Sequence, residues 1–280
     1  MAIELRPASA FSHDERAALW NDAFSDYFAP SHFDAAALAG FERMCDLDLD
    51  GSRVAVEDDR PVAFGMLGIR GRRGWVGGMG VVPTARRRGL GVRMMNALAA
   101  EARARDLKVL GLEVLTENTG AIALYTGLEY RTLRTLEVWE GVPTRSGSAP
   151  GSTHAIDLDE AARRIGRAVL EDAPWQRELE PLRRALPDLA GMTAEVEAGS
   201  ATAVYRATPE RVSVIAIAAH GDGPERARAI DALLAPWTDG ETSRMLRLLN
   251  LPAGDEAGPR LAAIGCEVSH RQLEMALRLA

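Results

Sequence analysis

The chain has 280 residues, a net charge of −7 and 47% hydrophobic residues. That length favours two folded domains over one, and the composition is that of a globular protein able to bury a core. The acidic balance argues against a general nucleic-acid binder, which would show a basic face, and no run approaches the roughly 18 apolar residues of a membrane span. Cys45 and Cys266 are too few and too far apart for a disulfide framework or a metal site. The five histidines are dispersed without metal-ligand spacing. With no basic and apolar leader at the start, the expectation is a cytoplasmic protein with no metal and no nucleic-acid or membrane partner.

Residues 1–8 read as a strand. Residues 11–45 carry helical periodicity, with Leu19, Trp20, Phe24, Tyr27 and Phe28 on overlapping turns. Residues 52–57 and 61–69 alternate like a strand pair around the turn Asp58-Asp59-Arg60-Pro61, and residues 73–82 form the next strand. A helix is predicted over 89–105, with Leu90, Met94, Leu98 and Ala102 at four-residue spacing. A strand at 108–115, a helix at 118–127 and a strand at 130–139 follow. Residues 141–151 are rich in Gly, Pro and Ser and read as a linker. The remainder, 152–280, reads as a second domain. Its elements are a strand near 154–158, helices near 159–190, strands at 201–206 and 211–218, a helix at 223–235, a strand at 244–250, a helix at 256–264 and a strand at 266–277.

The most informative stretch is Gly77-Gly-Met-Gly-Val-Val-Pro-Thr-Ala-Arg-Arg-Arg-Gly-Leu-Gly-Val92. A small, apolar strand ends at Pro83, and three arginines and Gly89-Leu-Gly91 lead into a helix. Glycine allows close backbone approach to a ligand. The N–H groups of Arg87 to Val92 have no helical acceptor at a helix start and can serve an anion. With Arg86, Arg87 and Arg88 adding charge, the chemistry suits a pyrophosphate. No Gly-Lys-Ser/Thr follows, which excludes a nucleotide-triphosphatase loop, and Met94 stands where a dinucleotide fingerprint needs its third glycine.

The spacing Arg86-x-x-Gly89-x-Gly91 after Val-Val-Pro resembles the acetyl-CoA-binding motif of the GNAT acetyltransferase superfamily. Downstream, Leu112-Glu-Val-Leu-Thr-Glu-Asn118 and Ala121-Ile-Ala-Leu-Tyr125-Thr-Gly-Leu-Glu-Tyr130 resemble that superfamily's next strand and helix, in the right order. Ile3-Glu-Leu-Arg-Pro-Ala8 is similar to its first strand. One departure is Glu129, where the family usually has Gly; Gly127 is expected to absorb the backbone strain. The end of the chain superimposes on residues 128–139 at an offset of 136. Both halves are therefore expected to be GNAT-like α/β domains, each a mostly antiparallel sheet flanked by helices, with 1–140 catalytic and 152–280 degenerate. At that offset Asp222 replaces Arg86 and Glu225 replaces Gly89, where acidic groups would repel a pyrophosphate. The second domain is expected to cover the first, shape its acceptor cleft or make a homodimer contact.

The resemblance implies acetyl-CoA as co-substrate and acetyl transfer to a primary amine by direct attack in a ternary complex. It implies pantetheine contacts at Met79, Gly80 and Val81, pyrophosphate contacts from Arg86 to Val92 (Arg86, Arg87, Arg88, Gly89, Leu90, Gly91, Val92), and a pantetheine or helix-cap contact at Asn118. Tyr125 is the candidate general acid for the departing thiolate; a phenol is protonated at neutral pH. Glu113, in a Leu-Glu-Val strand resembling that of bacterial N-terminal-alanine acetyltransferases of ribosomal proteins, is the candidate base. On a strand it faces away from Leu112 and Val114. Asp26 and Tyr27 are weaker candidates for substrate contact. The acceptor is a small-molecule or peptide amine. A non-catalytic acetyl-CoA sensor is the alternative, although such a module would need neither Glu113 nor Tyr125.

Overall fold

In a computed structural model the chain is described over residues 3–28, 32–143, 151–238 and 244–279. It forms two compact units; the first runs to Arg134 and takes back the chain from Leu273 onward, and the second is Thr135–Gln272. The expected boundaries at 140 and 152 differ from this division, because the final strand is shared by the two units. Residues 144–150 of the expected linker lie outside the described residues.

The first unit begins with β1 (Glu4–Pro7), a short 3-10 turn, and α1 (His13–Ala23). A capping box starts α1: the Ser12 side chain accepts from the Glu15 N–H, and Glu15 reaches back to the Ser12 N–H. The expected continuous helical region is in fact two helices. α1 stops at Ala23, and α2 (Ala35–Met44) starts anew with Asp34 as its cap. There follow β2 (Leu47–Glu57), β3 (Arg60–Arg70), β4 (Arg73–Val81), α3 (Leu90–Ala104), β5 (Val109–Leu115), α4 (Thr119–Gly127) and the start of β6 (Arg131–Gly141). β2 begins earlier than the alternation suggests, because a register irregularity between Asp48 and Arg53 breaks the two-residue period. The chain's last strand, β12 (Glu267–Arg278), brings residues from Leu273 onward into this unit beside β5.

β1 to β4 are antiparallel neighbours. β4 and β5 are parallel, but their pairing covers only Arg73 to Trp75 against Val109 to Gly111. Beyond Trp75 and Gly111 the two strands part. On one sheet face α1 packs so closely that a Cβ on Gly78 would stand 2.5 Å from the Trp20 ring, and one on Gly80 would stand 2.8 Å from Ala23. The glycines of β4 therefore serve this helix contact. On the other face Met95, Leu98 and Ala102 of α3 join Leu110, Leu112, Val114 and Tyr125 in one core.

The second unit contains the rest of β6, β7 (Ser152–Ile156), α5 (Leu158–Ile165), α6 (Arg167–Glu171), α7 (Leu179–Ala185), β8 (Leu189–Val196), β9 (Gly199–Ala207), β10 (Arg211–His220), α8 (Gly223–Leu234), β11 (Met245–Pro252), α9 (Ala257–Ala263) and the first part of β12. Asp157 caps α5, so the strand expected near 154–158 ends at Ile156. β8 lies where the sequence pattern predicts no strand. It pairs with both β7 and β9.

Candidate active site

The turn after β4 leaves a run of its backbone N–H groups open. Arg87 has φ +60° and Gly89 has φ +79° and caps α3 without a side-chain bond. The first helical bond joins the Arg93 N–H to the Gly89 carbonyl at 3.1 Å. Among the described residues the N–H groups of Arg87, Arg88, Gly89, Leu90, Gly91 and Val92 have no protein acceptor, and a Cβ on Gly89 would meet nothing within 4 Å. Gly91 also answers to packing: its Cβ would press on Leu124 at 3.1 Å.

The arginines differ from the sequence expectation. Arg86 makes a two-pronged pair with Asp26, both bonds 2.7 Å, and donates to the carbonyls of Val81 and Ala23, each at 3.0 Å. Arg88 is paired with Glu57. The Arg86 guanidinium holds the Asp26 carboxyl below its usual range, and Arg88 does the same to Glu57. These arginines brace the turn, and Asp26, expected to touch substrate, is engaged in the bracing. Arg87 alone of the three has no side-chain partner among the described residues.

Where β4 leaves β5, antiparallel alternation decides which backbone groups are open. The Val82 N–H bonds the Val62 carbonyl on β3 at 3.0 Å. Alternation turns the Gly80 N–H to β3 as well, and the N–H groups of Met79 and Val81 toward the parted side. Of the three expected contacts, Gly80 thus has its N–H spent within the sheet.

Asn118 caps α4, accepting from the Ala121 N–H at 3.1 Å, and lies beside the Tyr27 phenol. Tyr125 lies on α4 with its ring buried, 5.9 Å from Tyr130. Burial, with Tyr27 nearby, pushes its phenol up, so the proton stays on at neutral pH. Tyr27, Asn118 and Tyr125 are thereby brought together.

Glu113 sits on the opposite side of β5 from Leu112 and Val114, which are buried. Its carboxylate accepts the Trp75 indole N–H at 2.6 Å. It keeps part of its surface open but is surrounded by protein. Desolvation, opposed by the Trp75 bond and aided by Glu274, pushes it up to about 7. Cys45, buried beside it, is pushed up to about 12 by the same desolvation. Sequence reasoning missed Trp75, Arg134 and Glu274. None of the three carries a local signal: the place of Trp75 at the end of the β4–β5 pairing is set only by the fold.

The second unit differs at the matching places. Asp222 caps α8 by accepting from the Glu225 N–H at 3.1 Å, and Pro224 has no N–H to offer. The parallel pairing of β10 with β11 ends at Val214 and Leu248. Just beyond, buried Arg177 donates to the Ile215 carbonyl at 2.7 Å and to the Asn250 carbonyl at 3.1 Å, bridging the parted strands.

Residues 16–130 match the family described as Acetyltransferase (GNAT) family. No curated protein matches the chain. Among solved structures, a GCN5-related N-acetyltransferase from Sphaerobacter thermophilus is 17% identical with a TM-score of 0.69, over 99% of this chain and 96% of its own. A putative acetyltransferase from Pyrococcus horikoshii is 18% identical with a TM-score of 0.65, over 99% and 89%. A tandem GNAT protein from the clavulanic acid biosynthesis pathway is 16% identical with a TM-score of 0.64, over 100% and 99%. At these identities the likeness is one of fold, and it extends over both units. No group of side chains that could hold a metal occurs among the described residues, and no helix there is long and apolar enough to cross a membrane.

Proposed function

We propose that residues 16–130, which match the acetyltransferase (GNAT) family, are a domain of that family, and that the first unit transfers an acetyl group from acetyl-CoA to a primary amine by direct attack within a ternary complex. The single observation that carries this reading is the parting of β4 from β5 beyond Trp75 and Gly111; Glu113, on one face of β5, is read as the base and Tyr125, in the core on the other face, as the acid. The fit to acetyl-CoA rests on the six N–H groups from Arg87 to Val92 that lack acceptors among the described residues, and on the open space over Gly89. Acetyl-CoA supplies an activated acetyl group with a thiolate as leaving group.

Arg87 and the turn N–H groups would hold the pyrophosphate. Met79 and Val81 offer N–H groups to the pantetheine arm and the thioester oxygen. Glu113, near neutrality in its acidity, accepts the proton of an ammonium at physiological pH. Tyr125 holds its proton until the thiolate departs. Cys45, kept as a thiol by burial, is unsuited to carry an acyl group. The second unit is read as degenerate: its own Asp222 occupies the helix start and Arg177 spans the strand gap. The protein is read as cytoplasmic.

An amine panel assayed for CoA release, with calorimetry of acetyl-CoA binding, tests the proposal. The expected results are turnover on at least one amine and one acetyl-CoA per chain. Binding without turnover across small amines, aminoglycosides, amino acids and peptide N-termini would favour a sensor, and two per chain would refute the degenerate reading.

A further inference from the structure

The parted strands lie beside a row of charge that reaches across the sheet of the first unit. Two anchors set the register of β12 against β5. The Leu279 N–H bonds the Lys108 carbonyl at 2.9 Å, and the Met275 carbonyl lies 3.8 Å from where a Cβ on Gly111 would stand. The strands therefore run antiparallel, and Glu274 comes opposite Glu113. Met275, Leu277 and Leu279 belong to the core on the α3 side, as do Leu110, Leu112 and Val114. Glu274 and Glu113 thus share the other face, where directly opposed residues hold their Cβ atoms about 4.5–5.5 Å apart. On β6, Arg134 donates its Nε to Glu274 at 2.5 Å, with both side chains only partly exposed. The row reads Trp75, Glu113, Glu274, Arg134 across four strands.

We propose that Glu274 is a positioning residue of the acceptor site, which is held in place by Arg134 and forms with Glu113 a paired-carboxyl seat for a protonated primary amine. This rests on the acetyl-transfer reading above and narrows its substrate to one that arrives as an ammonium. Two carboxylates and one guanidinium carry a net charge of −1 when all are ionised, which one ammonium balances. Like charges side by side also make Glu113 a stronger base than a solvated glutamate. In the reaction the ammonium N–H breaks and its proton passes to Glu113. The freed nitrogen pair forms the C–N bond, the C–S bond breaks, and the thiolate takes the Tyr125 proton; the acylated nitrogen then loses its second proton, which through solvent restores the Tyr125 phenol, and Glu113 releases its proton to solvent. The other groups facing Glu113 are the Trp75 indole and the Cys45 thiol, with Arg70 and Asp46 beyond the thiol.

The test needs no substrate for its first arm. The Trp75 indole N–H bonds Glu113, so its ¹⁵N–¹H signal reports the proton on Glu113. In Glu274→Gln the titration midpoint is expected to fall by about one unit, and in Arg134→Gln to rise. In the second arm, on an amine from the panel, Glu274→Gln should raise the amine's KM several-fold and leave that for acetyl-CoA unchanged. Unchanged acetyl-CoA binding shows that each variant is folded. An unmoved midpoint in either variant, or an unmoved amine KM, overturns the proposal. If no amine releases CoA, the acetyl-transfer reading falls, and the Trp75 titration still decides whether Glu274 and Arg134 control Glu113.

Discussion

Glu113→Gln is the substitution with the most to reveal, because it separates what the carboxylate costs the fold from what it does for the reaction. The wild-type group is raised from an ordinary 4.5 to about 7. A raised folded value means that its contribution to stability is intact below pH 4.5 and is lost as pH rises through 7. At 1.36 kcal/mol per unit, the shift from 4.5 to about 7 corresponds to about 3 kcal/mol of lost stability once Glu113 is fully ionised. The substituted amide keeps an oxygen for the Trp75 N–H and never ionises. The variant should therefore match the wild type at pH 4.5 and exceed it by about 3 kcal/mol above pH 8. Thermal midpoints of both proteins, measured at intervals from pH 4.5 to 8.5, give the comparison. The same variant should lose ~10² to 10⁴ in kcat/KM near pH 7, with the defect shrinking at higher pH as more free amine is present. A stability difference that stays flat across this range would refute the reasoning about burial. Full activity at pH 7 would refute the role as base.

Other substitutions probe the remaining parts. Gly89→Glu should abolish acetyl-CoA binding measured by calorimetry, since it places a side chain at φ +79° and a negative charge among the free N–H groups. Tyr125→Phe should lower kcat by ~10² to 10⁴ when chemistry limits turnover, with acetyl-CoA affinity nearly unchanged, because the phenol proton is needed only as the thiolate leaves. Glu129→Gly should stabilise the first unit by roughly 1 kcal/mol in thermal unfolding. Glu129 itself takes φ +68°, whereas Gly127, expected to absorb the strain, continues the helix at ordinary φ.

The sequence by itself determined the local geometry of the candidate site. The turn before α3 was legible because glycines, a proline and a four-residue apolar stripe act through a few neighbouring dihedral angles. The Asn118 cap and the Tyr125 position follow from one helix, and the outward face of Glu113 from the two-residue period of one strand. Side-chain pairing was beyond its reach. Whether Arg86 and Arg88 grip a ligand or clasp Asp26 and Glu57 depends on where α1 and β2 come to lie, and in the fold they clasp. Glu274 and Arg177 were hidden for the same reason, since each meets its partners across strand pairings far apart along the chain. Only the tertiary structure sets those registers, because they are selected by burying the alternate faces of β12 and β11 in packed cores, and no short-range pattern records which strand will be the neighbour.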